Sequence, residues 1–264
     1  MSTPPPTSQP KLRSAHHDPI RIVPLHVLDA MGRTAPAPSV PPQLVYRNGP
    51  LISHVEVFTM FWGQAWQQPA NASIIQQING FFDFILTSAL MDQLAEYSVP
   101  GRPIGHGRRT GTTNITTPGL GHSVSDSSIQ HMLQQEIATN SAVPKAGPDR
   151  LYFVFVPSGV RVVQGGSASC QAFCGYHNDI AGQIFYAVMP FPDCAGCLSK
   201  LSTFEALTST SSHELCEAVT DPIPGEGWYD DVHGEIGDIC AWQNKTLGSY
   251  TVQLEWSNKA NACV

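Results

Sequence analysis

The chain has 264 residues, of which 42% are hydrophobic and only 13% charged, and its formal net charge is −7. This length and apolar content are enough for a domain with a substantial core. No basic stripe is present, which argues against a nucleic-acid partner. No segment approaches the roughly 20 consecutive apolar residues of a membrane span, and no apolar signal-peptide core is visible near the N-terminus.

Proline is frequent in the first part of the sequence, including a Pro4–Pro6 run. This composition predicts an extended N-terminal arm or pro-segment over residues 1–44. The apolar run IRIVPLHVL inside the arm is expected to be a short strand-like island. A globular, catalytic-type domain is predicted over residues 45–264.

The rest of the chain shows strand-like and helix-like periodicity in alternation. Strands are predicted over 54–63, 150–157, 182–191 and 250–257, and helices over 71–97, 125–140 and 203–221. Gly80 and Asp83 are expected to split the first helix, and residues 98–122 are expected to form a loop. This order predicts an α/β or α+β fold, a single domain with a mixed β-sheet flanked by helices.

All seven cysteines lie in the C-terminal half, and Cys216 falls inside a predicted helix. The other six are predicted to form three disulfides, although their 15 possible pairings stay open: Cys170, Cys174, Cys194, Cys197, Cys240 and Cys263. The first four could instead form a zinc-binding set. Disulfides are favoured because the sequence also contains glycosylation acceptor triplets, and both features predict an extracellular or periplasmic protein.

The helix over 203–221 contains the stretch SSHELCEAVTDP, which begins like the active-site helix of a zincin, a zinc peptidase. His213 and Glu217 are four residues apart and point the same way, so both can bind one ion. Glu214 is rotated by about 100°, an offset that suits a general base beside the attacking water. Glu217 stands where a zincin has its second histidine.

An acidic segment, GEGWYDDVHGEIGDICAW, follows this helix after the turn at Pro222. It is expected to supply a third ligand, with Asp238 and Glu235 as the best candidates and Asp221, at the helix end, less favoured. One imidazole with two or three carboxylates suits zinc, and calcium is the alternative ion. The competing interpretation is that these acids only solvate a glycine-rich loop.

Further candidates for substrate binding are Trp228, Tyr229 and His177. Trp228, together with Trp62 and Trp66, could line a groove for a sugar or peptide, or these residues could be core aromatics. His177, in the stretch CGYH, is favoured as a hydrogen-bonded core histidine over a ligand.

Several separated stretches together resemble the exordium-like, phosphate-induced proteins of plants and their microbial relatives. They are YRNGPLISHVEVFTMFWGQAW (46–66), CGYH (174–177), YAVMPFPDCAGC (186–197), EAVTDPIPGEGW (217–228) and GEIGDICAW (234–242). The resemblance implies an extracellular protein without enzyme activity. The plant pattern lacks the His-Glu pair, however, so the residues predict that this branch carries a hydrolytic metal site.

Three functions follow, and the first is favoured. It is a zinc-dependent hydrolase, most consistent with a metallopeptidase acting on a peptide or protein, with Glu214 as general base. The second is a non-enzymatic extracellular protein that binds cell-wall carbohydrate or protein. The third is a metal-free glycoside hydrolase that uses a pair of carboxylates, which leaves His213 without a role.

Overall fold

The computed structural model of the protein describes residues 22–25 and 40–264, through which strands and helices alternate. The strands are β1 (Ile22–Pro24), β2 (Val45–Tyr46), β3 (Glu56–Trp62), β4 (Arg108–Ile115), β5 (Ser123–Ser125), β6 (Arg150–Val156), β7 (Arg161–Gln164), β8 (Ser167–Ala168), β9 (Phe173–Ile180), β10 (Ile184–Pro190), β11 (Trp228–Tyr229), β12 (Asn244–Leu247), β13 (Tyr250–Gln253), β14 (Trp256–Ser257) and β15 (Ala262–Cys263). The helices are α1 (Pro69–Ile85), α2 (Ala89–Leu94), α3 (Asp126–Thr139), α4 (Ala195–Leu198) and α5 (Thr203–Thr220), with short 3-10 helices at Gln64–Gln67, Ala95–Tyr97 and Asp238–Cys240.

Six strands form the main sheet, in the order β1-β9-β10-β6-β3-β4. The four strands from β10 to β4 run parallel, whereas β9 runs antiparallel to β10 and β1 runs antiparallel to β9. The sheet is therefore mixed and flanked by helices, which confirms the predicted fold class. The described residues also form four small sheets: β5-β7-β8, β11-β2, β12-β13 and β14-β15.

The central strands are apolar along their whole length because both faces of the sheet are covered. In β3 and β6, six consecutive residues are buried. One face packs against α1, α2 and α5, where Phe82 meets Phe153 at a ring distance of 4.6 Å. The other face packs against α3, whose Met132 and Leu133 are buried. The architecture is thus a three-layer α/β/α arrangement.

Helix α5 carries the predicted chemistry and is the most deeply buried helix among the described residues. It begins at a capping box, in which Ser202 and Glu205 each hydrogen-bond the backbone N–H of the other. Every residue from Ala206 to Thr220 is buried. Since many of them are Ser, Thr, His or Glu, which are normally exposed, burial on every side marks this helix as more than a packing element.

Several elements differ from the sequence-based expectation. The first helix continues through Gly80 and ends at Ile85, because Ser88 caps a separate helix α2. The expected loop over 98–122 contains β4, a polar edge strand whose residues alternate in exposure; its Thr and Arg content hid the strand pattern. Strand β9 was not predicted either, because CGYHND interrupts its apolar pattern with polar side chains.

Three disulfides join the six cysteines as Cys170–Cys194, Cys174–Cys197 and Cys240–Cys263, and Cys216 is free and buried. The pairing of these sulfurs with one another favours disulfides over the alternative zinc-binding set. The first two bridges fasten the start of β9 to the α4 segment. The third ties the short helix Asp238–Cys240 to β15. Three disulfides are compatible with an extracellular or periplasmic location.

Within the described ranges, no single helix is long and apolar enough to cross a membrane. Helix α1 and the segment Ala89–Tyr97, which are bent by 48° relative to each other, pass that test of length and composition only as a pair. Both contribute buried side chains to the core beneath the sheet. The strand-like island of the predicted arm contains β1, and residues 1–21 and 26–39 of the arm lie outside the described residues.

We expect the double substitution Cys240→Ser with Cys263→Ser to lower the free energy of unfolding by roughly 3 kcal/mol. The reason is that the bridge joins two residues 23 positions apart and so restricts the unfolded chain. Urea denaturation followed by circular dichroism measures the change. The single substitution Cys216→Ala is the control, because it removes a sulfur without removing a cross-link. An unchanged urea midpoint in the double variant contradicts the assigned pairing.

Candidate metal centre

The side chains of α5 meet those of β9 in a buried cluster of histidines and glutamates. Nδ1 of His177, on β9, lies 3.2 Å from Oε2 of Glu214 and 3.5 Å from Oε2 of Glu217. Nε2 of His213 lies 2.8 Å from Oε1 of Glu217. All four side chains are at most 1% exposed. Each oxygen of Glu217 therefore faces a different histidine.

The turn after β11 adds two further carboxylates to the cluster. Oδ1 of Asp238 lies 3.9 Å from Nε2 of His213, and the backbone N–H of Asp238 donates to Oε1 of Glu217 at 3.1 Å. Oε1 of Glu235 lies 3.4 Å from Nε2 of His177. The structure thus brings the five leading candidates, His213, Glu214, Glu217, Asp238 and Glu235, to one place in the fold.

Several polar atoms of this cluster have no hydrogen-bond partner within the described part of the chain. They are Nε2 of His213, Oε1 of Glu214 and both carboxylate oxygens of Glu235. Nε2 of His213 is close to Glu217 but is not aligned with it as a hydrogen-bond donor. Unpaired buried polar atoms are costly, and their convergence is compatible with a ligand that satisfies them together.

Two sets of side chains in the cluster have the spacing of metal ligands. One set is His213, Glu217 and Asp238, and the other is His177, Glu214 and Glu217. In each set the possible ligand atoms lie within 4.8 Å of one another. Each offers one imidazole and two carboxylates, a donor combination that zinc accepts. Glu217 belongs to both sets.

The electrostatics of the glutamates follow from burial and from the histidines beside them. Burial raises the pKa of Glu214 to about 7, although the hydrogen bond with His177 opposes this shift. Burial alone would also raise the pKa of Glu217, but the charge of His213 and the hydrogen bond with His177 lower it to about 2. Burial and the charge of Glu217 raise the pKa values of Glu235 and Asp238 well above the ordinary range.

For the two histidines, the neighbouring carboxylates outweigh the effect of burial on the pKa. Burial would lower the pKa of His177, but its hydrogen bonds with Glu214 and Glu217 raise it to about 10. Burial likewise opposes the charged form of His213, yet the charge of Glu217 raises its pKa well above 6.5. The raised pKa values of Glu235 and Asp238 reflect carboxylates crowded together in a buried site, and a divalent cation there would stabilise their charged forms.

Hydrogen-bonding groups outside the two ligand sets orient both imidazole rings. Nε2 of His177 lies 3.1 Å from the carbonyl oxygen of Asp221, so a neutral His177 that donates there presents the lone pair of Nδ1 to the glutamates. Nδ1 of His213 lies 2.8 Å from the amide nitrogen of Gln253. Since that nitrogen is a donor, binding of an ion through Nε2 of His213 requires the Gln253 amide to turn its oxygen toward the ring.

Asp221 lies at the end of α5, outside both ligand sets. Its carboxylate accepts hydrogen bonds from the backbone N–H groups of Gly225, Glu226 and Gly227. Burial raises its pKa to about 6, while the N–H groups of Gly227 and Gly225 act in the opposite direction. The contacts give Asp221 a local role, in which it fixes the turn that leads from α5 to the acidic segment.

The tryptophans singled out in the sequence are packed as core or rim aromatics. The indole N–H groups of Trp62 and Trp66 donate to backbone carbonyls in the buried interior. Trp228 donates to the carbonyl of Tyr97 and packs on its ring at 5.2 Å. The Tyr229 ring lies beneath the guanidinium of Arg47, at 4.4 Å. Both Trp228 and Tyr229 belong to β11, which pairs with β2.

Three contributions to the site were missed or misjudged in the sequence. His177 lies at the centre of the cluster, and the signal for it was concealed because β9 was not recognised as a strand. Gln253 holds His213, and Glu255 is buried with both oxygens unpaired among the described residues. These last two alternate in an otherwise apolar stretch, TVQLEW, which was an available sign that both point inward.

Comparison with protein-family models and with curated protein sequences finds no match. The resemblance to exordium-like proteins therefore stays a prediction, and the function has to be argued from the site.

Gly237 is required for the cluster to close. A Cβ atom at this position would lie 2.7 Å from Nδ1 of His213 and 2.9 Å from Oε1 of Glu217. We expect Gly237→Ala to displace both side chains and to lower zinc affinity at least about tenfold, as losses of supporting contacts do. Gly121→Ala is the control, because a Cβ there meets nothing within 4 Å. Zinc titration with a competing chelator measures both; equal affinities contradict the assigned site.

Proposed function

We propose that the protein is a zinc-dependent hydrolase of the metallopeptidase type, with the ion bound by His213, Glu217 and Asp238. The observation that carries the proposal is the buried ligand set itself, in which Nε2 of His213 has no hydrogen-bond partner and points toward two carboxylates. Three protein ligands with one open position are the usual arrangement of catalytic zinc. The disulfides support action outside the cytosol.

Zinc is favoured over calcium by the donor set. Calcium takes six to eight oxygen ligands and has little affinity for imidazole, whereas the set combines one imidazole with two carboxylates. A metal-free glycoside hydrolase has less support. It would use carboxylates alone, and it would give the buried His213 ring no role in the reaction.

Glu214 is the proposed general base. Its Oε2 is held by His177, while Oε1 has no partner among the described residues and is free to accept a proton. Its pKa of about 7 places proton uptake near neutral pH, where a general base is most effective. Zinc, when bound by these residues, would polarise the substrate carbonyl and favour ionisation of the attacking water. His177 acts as the positioning residue that keeps the Glu214 carboxylate in place.

The second ligand set provides an alternative position for the ion. There His177, Glu214 and Glu217 bind it, and Nε2 of His177 donates to the Asp221 carbonyl, a common arrangement for metal-binding histidines. In that case Glu214 is a ligand rather than the base. The two arrangements differ in which histidine is indispensable for the ion, so they can be distinguished by experiment.

The metal content of purified, dialysed protein should be near one zinc per chain. We expect Glu217→Ala to lose the ion, since Glu217 belongs to both ligand sets, and His213→Ala to lose it in the proposed arrangement. His131→Ala, which removes an exposed histidine of α3, is the matched control. Elemental analysis measures the zinc content of the wild type and of every variant.

Two outcomes decide between the arrangements. Loss of zinc from His177→Ala, with full retention in His213→Ala, moves the ion to the second set. Full zinc content in Glu217→Ala refutes both sets and leaves α5 as a structural helix.

Glu214→Gln is expected to keep its zinc while losing activity, because the amide preserves the shape but cannot accept the proton. The expected decrease in kcat is about 10²- to 10⁴-fold, measured with an unfolded protein such as reduced casein as substrate. Glu226→Gln, at an exposed position of the acidic segment, should have wild-type activity. A Glu214→Gln variant that is fully active excludes Glu214 as the base.

A further inference from the structure

Residues 22–24 add a short strand to the edge of the main sheet beside the candidate site. β1 pairs antiparallel with β9, with Ile22 opposite Tyr176 and Val23 opposite Gly175. β9 extends from Phe173 to Ile180, and β1 covers its first half. The strand that carries His177 therefore has the backbone of a separate, proline-rich part of the chain along its outer edge.

Side-chain contacts hold this segment in addition to its backbone pairing. The Val23 side chain is fully buried and packs with the cysteines of the two disulfides near β9. The carbonyl of Pro24 accepts a hydrogen bond from the indole N–H of Trp242 at 3.0 Å. A strand addition anchored by one buried apolar side chain is the way in which extended peptides bind to sheet edges.

The register places this segment next to the catalytic groups. Val23 pairs with Gly175, and a Cβ atom on Gly175 would lie 3.2 Å from Oε1 of Glu214. His177, two residues further along β9, contacts the same Glu214 carboxylate. A peptide in the register of β1 that continues past Ile22 thus runs alongside His177.

Access to the cluster requires that some element move. His213 and Glu214 are 0% exposed, and a hydrolase with buried ligands and base has no contact with substrate until a path opens. β1 contacts α5 as well as β9. It is three residues long and has one sheet neighbour, whereas β9 lies between two strands. β1 is therefore held in the sheet by three backbone pairs, all on one side.

We propose that the outer edge of β9 is the substrate-binding edge and that its ligand is an extended peptide with a β-branched apolar residue in the pocket of Val23. Residues 22–25 occupy this edge as an intramolecular competitor, so the full chain is self-inhibited. The effect on catalysis rests on the proposed hydrolase function. The peptide binding itself is independent of it.

The binding test uses the full chain and the synthetic peptide DPIRIVPLHV, which has the sequence of residues 18–27. Val23→Asp introduces a charge into the buried pocket and should free the edge of β9. Val40→Asp, at a position of 56% exposure, is the matched control. We expect the Val23→Asp variant to bind the peptide at least about tenfold more tightly than wild type or Val40→Asp, and to reject a peptide with aspartate in place of that valine.

Amide hydrogen exchange provides a second measurement that does not depend on the charged variant folding well. In the milder Val23→Ala variant, amides in the first half of β9 that face β1 should exchange faster than in wild type. Amides of β10, which pair with β6, should keep their protection. Unchanged exchange in β9, together with equal peptide binding by all variants, overturns the proposal.

Activity on reduced casein separates this inference from the proposed hydrolase. Higher activity of Val23→Asp than of Val40→Asp, with a decrease when the peptide is added, supports both. Peptide binding without hydrolysis in any variant supports the binding edge and refutes the hydrolase. Hydrolysis that is equal in wild type and Val23→Asp, and insensitive to the peptide, refutes the competitor role while leaving the hydrolase intact.

Discussion

The carboxylate of Glu217, buried between two histidines, is the interaction on which the arrangement of the site depends. One of its oxygens faces His213 from the same helix and the other faces His177 from β9. The backbone N–H of Asp238 donates to it from a third segment. A charged carboxylate in this environment is stabilised only by these partners or by a cation. Three distant parts of the sequence are therefore held together around one side chain.

The fold meets this constraint by burying a polar helix against a mixed sheet. α5 packs on β9 and β10, and its other side is covered by β13, which supplies Gln253 to His213. The disulfide from Cys240 to Cys263 fixes the short helix that begins at Asp238, directly after Gly237. Because a side chain at Gly237 would collide with both His213 and Glu217, the close approach of this turn is set by the glycine.

The sequence predicted the helix-borne half of the site better than the sheet-borne half. Spacing on one helix is fixed by local geometry, so His213, Glu214 and Glu217 could be grouped without tertiary information. Asp238 was reached because a turn returns the chain to the helix. His177 could not be placed in this way, since its proximity depends on pairing between β9 and β10. The prediction of a loop over 98–122 was wrong for a related reason. β4 is stabilised by its parallel neighbour β3, whereas its own residues are polar and give no strand pattern.

The antiparallel direction of β9 connects the site to the N-terminal segment. The parallel series ends at β10, and β9, which runs antiparallel to it, leaves its outer edge for a further strand. That edge is next to Glu214 because Gly175 lets the strand approach α5 closely. The small size of Gly175 thus serves two purposes: it brings His177 within reach of the glutamates, and it brings whatever backbone pairs with β9 close to Glu214. In this structure that backbone is the chain's own Ile22–Pro24, so β9 joins the N-terminal segment to the cluster.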